Sequence, residues 1–382
     1  MTTTTNNEQK KLNVPNLRFP EFQGEWEKCK LGDYGKVVTG NTPPTKDIEN
    51  YENGTYLWAS PADLGTIKSI TETKTMLSAK GFAKTRTLPK GSVLVTCIGS
   101  TIGKTGMATK EMSTNQQINS IVVNDNNDNE FVYYAIQSAF PRYLSSIAVQ
   151  AVPIISKSAF ELLPNKKPCL QEQKRIGKFL SLLDERIATQ NKIIDKLQSL
   201  IKRIAQHCIR ELINGWEYVR LSDICKITTG KLDANAQVEN GKYPFFTCAE
   251  RPFNIDSYAF DTEALLISGN GANLGYINYY KGKFNAYQRT YVLDHFSVNI
   301  QYVKWALKVL LPQRIAIEKS SSNTPYIVLS TLADLKIPIP NNSKQNHIAN
   351  LMQSFEGELS NQLALNDLYN KQKQYLLRQM FI

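Results

Sequence analysis

The feature that most constrains this chain is an internal duplication, because a repeated sequence implies a repeated structural unit. Trp26-Glu27-x-x-Lys30-Leu31-Gly32-Asp33 recurs as Trp216-Glu217-x-x-Arg220-Leu221-Ser222-Asp223, 190 positions later. The copies continue through Lys36-Val37-Val38-Thr39-Gly40 and Lys226-Ile227-Thr228-Thr229-Gly230. Further on the offset is 172: Val93 to Gly103 matches Leu265 to Gly275, and Gln116 falls on Gln288. Pro153, Ser158, Pro168, Gln173 and Ile176 fall on Pro325, Ser330, Pro340, Gln345 and Ile348. The offsets differ by 18, so the first copy has a net 18 extra residues between Gly40 and Val93. The copies share framework residues and differ in between, as expected of a held scaffold with a varied surface.

Each copy reads as a mixed α and β domain. Ser92 to Ile98, Ser120 to Val123 and Ala264 to Ile267 are β-branched or apolar runs, mostly bounded by Gly or Asn, which predicts short strands. Asn53-Gly54 and Asn240-Gly241 predict tight turns. Phe131 to Ser138 and Val303 to Leu311 predict short helices. Each copy then ends in a long amphipathic stretch. From Gln171 to Leu212 apolar residues recur from Ile176 to Cys208 in steps of three, four and seven, which predicts one helix of roughly 60 Å. Gln190 and Asn191 interrupt its seam. A second such helix is expected from about Lys344 to Phe381. The economical way to bury both stripes is to pair the helices antiparallel, which implies a coiled coil separating two domains. The expected fold class is α+β: two tandem-repeated mixed α/β domains separated by a long antiparallel two-helix coiled coil. The expected boundaries are a loose tail over 1–12, a domain over 13–165, a central helix over 166–213, a domain over 214–341 and a terminal helix over 342–382.

Composition narrows the function. The net charge is +11, which suits a polyanionic partner. Basic residues outnumber acidic ones along the central helix, from Lys166 and Lys167 to Arg210, either as a solvated face or as an extra site for a phosphate backbone. No apolar run approaches the roughly 18 residues that cross a bilayer, and the N-terminus lacks a secretory stretch, so a cytoplasmic location is expected. The 6 cysteines form no Cys-x-x-Cys pair and the 3 histidines show no ligand spacing, so buried thiols and no metal site are expected.

Three motifs suggest chemistry and fall short of it. Gly99-Ser100-Thr101-Ile102-Gly103-Lys104-Thr105 has three residues between its glycines where a phosphate-binding loop needs four, and its counterpart from Gly271 to Tyr276 has no lysine. Asp63, Glu72 and Lys74 fit only a loose acidic nuclease pattern. An Asn/Asp-Pro-Pro-aromatic loop for adenine methylation is absent. No catalytic residue is assigned.

The order of segments resembles the specificity subunits of type I restriction–modification systems. Asn13-Val14-Pro15-Asn16-Leu17-Arg18-Phe19-Pro20 with Gly24-Glu25-Trp26-Glu27 is similar to the family's opening. Thr39-Gly40-Asn41-Thr42-Pro43 is similar to the start of its target-recognition domain, and Leu170-Gln171-Glu172-Gln173-Lys174-Arg175-Ile176 to the entry of its central helix. The second copy departs at Lys231-Leu232. The resemblance implies that each domain reads half of a split, asymmetric site in double-stranded DNA and that the paired helices set the gap. It implies two methyltransferase subunits as partners, S-adenosylmethionine bound by them and not by this chain, and restriction subunits joining to cut. Half-site centres roughly one helical turn apart would let both domains engage one face of DNA. A related phage-defence methyltransferase, a coiled-coil scaffold without DNA reading, and a nuclease using Asp63, Glu72 and Lys74 are the alternatives.

Polar or basic residues on predicted loops are the candidate DNA contacts. In the first domain these are Gly40, Asn41, Thr42, Lys46, Lys80, Lys84, Arg86, Ser100, Thr101, Lys104, Gln116 and Gln117. In the second they are Lys231, Lys242, Asn270, Asn273, Tyr287, Gln288, Arg289, Ser321, Ser322 and Asn323. Glutamine can pair with adenine through two bonds, and arginine with guanine. The matched positions of Gln116 and Gln288 also allow a scaffold or methyltransferase-facing role.

Overall fold

The computed structural model describes residues 13–65, 67–146, 154–211, 216–319 and 326–382. The expected tail over 1–12, Pro153, Ser321, Ser322, Asn323, Pro325 and the expected helix end at Leu212 lie outside them. The chain divides into two compact units, one of residues 1–191 with 365–382 and one of 192–364. Four helices organise them: α1 (Asn129–Ser146), α2 (Leu170–Gln206), α3 (Ile300–Lys319) and α4 (Asn342–Met380).

In unit 1 a five-stranded sheet runs in the order Gly35–Thr39, Ile118–Val123, Val93–Thr96, Thr105–Ala108, Ser69–Ile70. A four-stranded sheet is made by Thr75–Leu77, Tyr56–Ala59, Met112–Thr114 and Thr87–Leu88. Glu27–Lys30 pairs antiparallel with Pro164–Lys167, bringing the domain's two ends together. In unit 2 Glu217–Arg220 pairs in the same way with Lys336–Ile339. Its main sheet has six strands, ordered Lys226–Thr229, Thr290–Asp294, Phe260–Ser268, Ile277–Ala286, Tyr243–Phe246, Phe253–Ile255.

Each unit takes one piece of each long helix into its core. In unit 1, Ile176 and Leu180 of α2 and Leu376 and Met380 of α4 join Trp26, Phe131 and Tyr134. In unit 2, Ile201 and Ala205 of α2 and Ile348 and Met352 of α4 join Tyr302, Val303 and Leu332. The local pairing in unit 1 is antiparallel: Asp184 meets Lys373 at 2.6 Å and Arg186 meets the Tyr369 hydroxyl at 2.8 Å, so partner numbers fall as helix numbers rise. The expected interruption of the seam at Gln190 is buried, 6% exposed.

The matched glutamines explain how a long helix grips its domain. Gln173 Oε1 accepts from the Asp128 backbone N–H at 3.0 Å, and its Nε2 donates to the Pro168 carbonyl at 3.0 Å. Gln345 repeats this with Asn299 N–H at 3.0 Å and Pro340 O at 2.8 Å. Asp128 and Asn299 in turn cap α1 and α3, accepting from Phe131 N–H at 2.9 Å and Tyr302 N–H at 3.1 Å. Both capped helices are longer than the sequence reading, which stops before Pro141 and Pro312; each proline sits inside its helix. Buried residues beyond the prolines, Tyr143 and Ile315, hold the continued turns in the core.

Cys29, Cys97, Cys208 and Cys225 are buried, as expected, and Cys169 is exposed. Burial pushes the Cys97 and Cys225 thiols up to about 12, which leaves them unreactive.

Candidate nucleic-acid interface

The repeat survives in backbone hydrogen bonds around one loop cluster per unit. Cys97 N–H donates to Gln117 O at 2.7 Å, and Gly269 N–H to Arg289 O at 2.8 Å. Ile155 N–H meets Cys97 O and Ile327 N–H meets Gly269 O, both at 2.8 Å. Asn115 N–H meets Ala59 O and Tyr287 N–H meets Phe246 O, both at 2.9 Å. The Gly99–Gly103 and Gly271–Gly275 turns close with matched bonds, Gly103 N–H to Thr96 O at 2.9 Å and Gly275 N–H to Ser268 O at 2.8 Å. They are strand-end turns with positive φ at all four glycines.

In unit 1 the loops around Gly40, Arg86, Gly99 and Gln117 meet. A Cβ on Gly40 would lie 2.2 Å from the Asn115 carbonyl oxygen, so only glycine allows that approach. Asn41 bridges loops, donating to Lys84 O at 2.9 Å and accepting from Arg86 N–H at 2.9 Å. The Arg86 guanidinium donates to Thr39 O at 2.8 Å, and the Thr42 hydroxyl donates to Gln116 Oε1. Gln117 turns inward, its Oε1 accepting from Asn115 at 3.0 Å. Ser100 and Lys104 are exposed and Thr101 half-buried on the neighbouring turn. Two of the chosen lysines are committed elsewhere: Lys84 reaches Asp47 at 2.9 Å and Asn50 at 2.8 Å, and Lys80 pairs with Glu49. Lys46 is exposed in the adjoining turn.

In unit 2 the structure gathers Lys231, Asn270, Asn273, Tyr287, Gln288 and Arg289. Gln288 N–H donates to Leu232 O at 2.9 Å, and Asn273 donates to Cys248 O at 3.1 Å. Gly230 repeats Gly40, since a Cβ there would lie 1.9 Å from Ala286 O. Lys231, Gln288 and Arg289 are exposed. Among the described residues the Arg289 side chain makes no hydrogen bond or ion pair, unlike Gln117 at the matching position. Lys242 does not join them. It precedes the far end of the Tyr243–Phe246 strand, with its ammonium 5.5 Å from the Tyr243 ring centre.

The structure adds one position that loop-picking missed. Tyr326, 54% exposed, and its counterpart Ile154, also 54% exposed, flank the residues that bond Gly269 and Cys97. The matched Pro153 and Pro325 next door were the available signal. Of the nuclease pattern, Asp63 is occupied: its carboxylate accepts from Ser60 N–H at 2.8 Å, Ser60 hydroxyl at 2.7 Å and Lys74 N–H at 2.8 Å.

A twice-built framework presenting two unlike loop clusters defines a duplicated recognition protein. The model for the type I restriction modification DNA specificity domain matches residues 23–199 and again 213–366. The chain belongs to that family. It is 26% identical to the type I restriction enzyme MjaIX specificity subunit of Methanocaldococcus jannaschii over 384 aligned residues, 88% of each chain. It is 43% identical to the EcoDI specificity subunit of Escherichia coli over 134 residues, 35% of this chain and 30% of that one. The fold is similar to the S subunit of a type I restriction–modification system from M. genitalium, with a TM-score of 0.67 at 19% identity over 97% of this chain and 99% of that one. No helix among the described residues is long and apolar enough to cross a membrane.

Proposed function

We propose that this chain reads a split, asymmetric site in cytoplasmic double-stranded DNA, one loop cluster to each half. It holds methyltransferase and restriction subunits there and carries no chemistry of its own. The observation that carries this reading is the pair of loop clusters, alike in backbone bonding and unlike in side chains. A common frame fixes where side chains meet base edges, and the side chains set which bases are accepted. Exposed lysines such as Lys104 and Lys231 suit phosphates, giving affinity that falls with salt. Two readers in one chain act as a bivalent ligand, so each raises the effective concentration of the other. The S-adenosylmethionine for methyl transfer is expected on the partner subunits.

The test is single-molecule sequencing of methylated bases in cells with and without this gene, the methyltransferase being expressed in both. Loss of one split N6-methyladenine motif is expected. An unchanged methylome overturns the proposal in favour of a scaffold without DNA reading.

A further inference from the structure

The repeat also duplicates a groove, and the two grooves are finished differently. In unit 1 it lies among α1, α2 and the end of α4, with Gln137, Asp184, Ile187, Asn370 and Lys373 in its walls. In unit 2 the matching positions, 171 or 172 residues away, are Lys308, Glu356, Leu359, Gln198 and Ile201, and all five line a groove there.

The unit 1 groove is furnished by its own domain. Gly65, Ile67, Lys68 and Ser69 line it. Lys68 Nζ reaches Glu130 at 2.8 Å, the Ser181 hydroxyl at 2.8 Å and the Tyr134 hydroxyl at 3.3 Å. About 350 Å³ remains. This segment falls between Gly40 and Val93, where the first copy carries its net 18 extra residues. In unit 2 every wall residue comes from α2, the turn after it, α3 or α4, and the groove is larger, about 590 Å³.

We propose that the unit 2 groove takes an acidic amphipathic segment of a partner protein, in the place that Gly65 and residues 67–69 take in unit 1. The floor is apolar: Ile201, Ala205, Trp305 and Val309 are all under 9% exposed. Lys202, Arg210 and Lys308 stand around this floor with one carboxylate, Glu356, which Lys304 and Lys308 already hold at 2.6 and 2.8 Å. Apolar side chains would fill the floor while Asp or Glu faces the surplus cations. A basic segment would meet like charge, and a DNA backbone would leave the floor empty. The proposal does not rest on DNA reading.

The test uses the assembled complex purified from the native host. Gln313→p-benzoylphenylalanine places a photo-crosslinker at the exposed rim, and mass spectrometry identifies the peptide it captures. The expected capture is one segment of another polypeptide, with more Asp and Glu than Lys and Arg and with interleaved apolar residues. Lys202→Glu, an exposed change that leaves the melting temperature in place, is expected to cut the crosslink yield about tenfold, and Lys202→Arg to restore it. Capture of this chain, of DNA, or of a neutral or basic segment overturns the proposal. So does a yield indifferent to Lys202→Glu, or no crosslink from an intact complex.

Discussion

Trp26 and Trp216 open the two copies of the repeat and end in different surroundings. Trp26 is 2% exposed, edge-on to Phe131 and Phe381, with its indole N–H 3.3 Å from Glu172, which Arg18 also binds at 2.7 Å. Trp216 is half-buried, its N–H has no acceptor among the described residues, and Lys344, at the position of Glu172, lies 5.9 Å from its ring centre. The backbone frame is shared while the chemistry hung on it differs, and that holds for the loop clusters and grooves as well.

The largest expected effect tests that difference directly. Trp26→Ala removes a sealed aromatic and should destabilise unit 1 by about 3–5 kcal/mol, whereas Trp216→Ala should cost unit 2 roughly half as much. Hydrogen exchange read separately on peptides of each unit checks this, because a two-unit chain does not unfold in one step. Equal losses would mean that the two anchors are equivalent after all.

Next in size come the matched carboxylates Asp184 and Glu356. Burial alone would raise the Glu356 carboxyl, but hydrogen bonds from Lys304 and Lys308 outweigh it and hold it below its usual range. Burial pushes Lys304 the other way, below the usual lysine value, so the pair is strained by desolvation even as it forms. Glu356→Gln leaves Lys304, 9% exposed, without its anion, and should cost about 2–3 kcal/mol. Asp184→Asn should cost about 1–2 kcal/mol, since Lys373 at 17% exposure reaches water more readily. A lowered carboxyl stabilises above its unfolded value, roughly 4.3, and that stability drains as pH falls through the folded value. The opening free energy of unit 2, taken from exchange rates corrected for the intrinsic pH dependence of amide exchange, should therefore fall as pH drops below roughly 4.3, and the Glu356→Gln variant should lack that part of the response.

A smaller effect separates the loop clusters. Arg289→Ala should relax specificity in one half-site by about 1–3 kcal/mol, or roughly fivefold to 150-fold between bases. Gln117→Ala at the matching position should mainly loosen the Asn115 turn, because that side chain faces inward. The methylated motif, sequenced for each variant, distinguishes them. Uniform loss across all sequences would make Arg289 a phosphate contact.

Much of this frame is legible in the sequence, because repeated residues mark bonds that both copies need. Gln173 and Gln345 stand out by their offset, and each clamps a domain helix. Gly40 and Gly230 stand out likewise, and each lies where a Cβ would strike a carbonyl. Less legible is anything that tertiary context decides. Pro141 and Pro312 read as helix ends, yet packing carries both helices through them. Lys80 and Lys84 look like phosphate ligands by residue type, and only the fold shows Glu49 and Asp47 beside them. The return of residues 365–382 to the first unit, by contrast, follows from the antiparallel pairing that two long apolar stripes imply, with Leu17 N–H to Gln379 O at 2.9 Å among its contacts.

The smallest expected effect concerns the Gly271 turn. Its φ is +78°, and a Cβ there would have nothing within 4 Å, so Gly271→Ala should cost only the left-handed penalty of about 1 kcal/mol. At Gly275, four residues on, an added Cβ would meet the Ile315 side chain at 2.6 Å, so that substitution should cost more by forcing the core to shift. The pair sharpens what the loop does. If the Gly271 backbone lies against DNA, its alanine variant should keep its melting temperature to within a few degrees and lose methylation of the motif. Gly275→Ala should lower the melting temperature while methylation below it persists. The reverse pattern would place the reading surface of unit 2 away from this turn, and move the search to Tyr326 and the Arg289 loop.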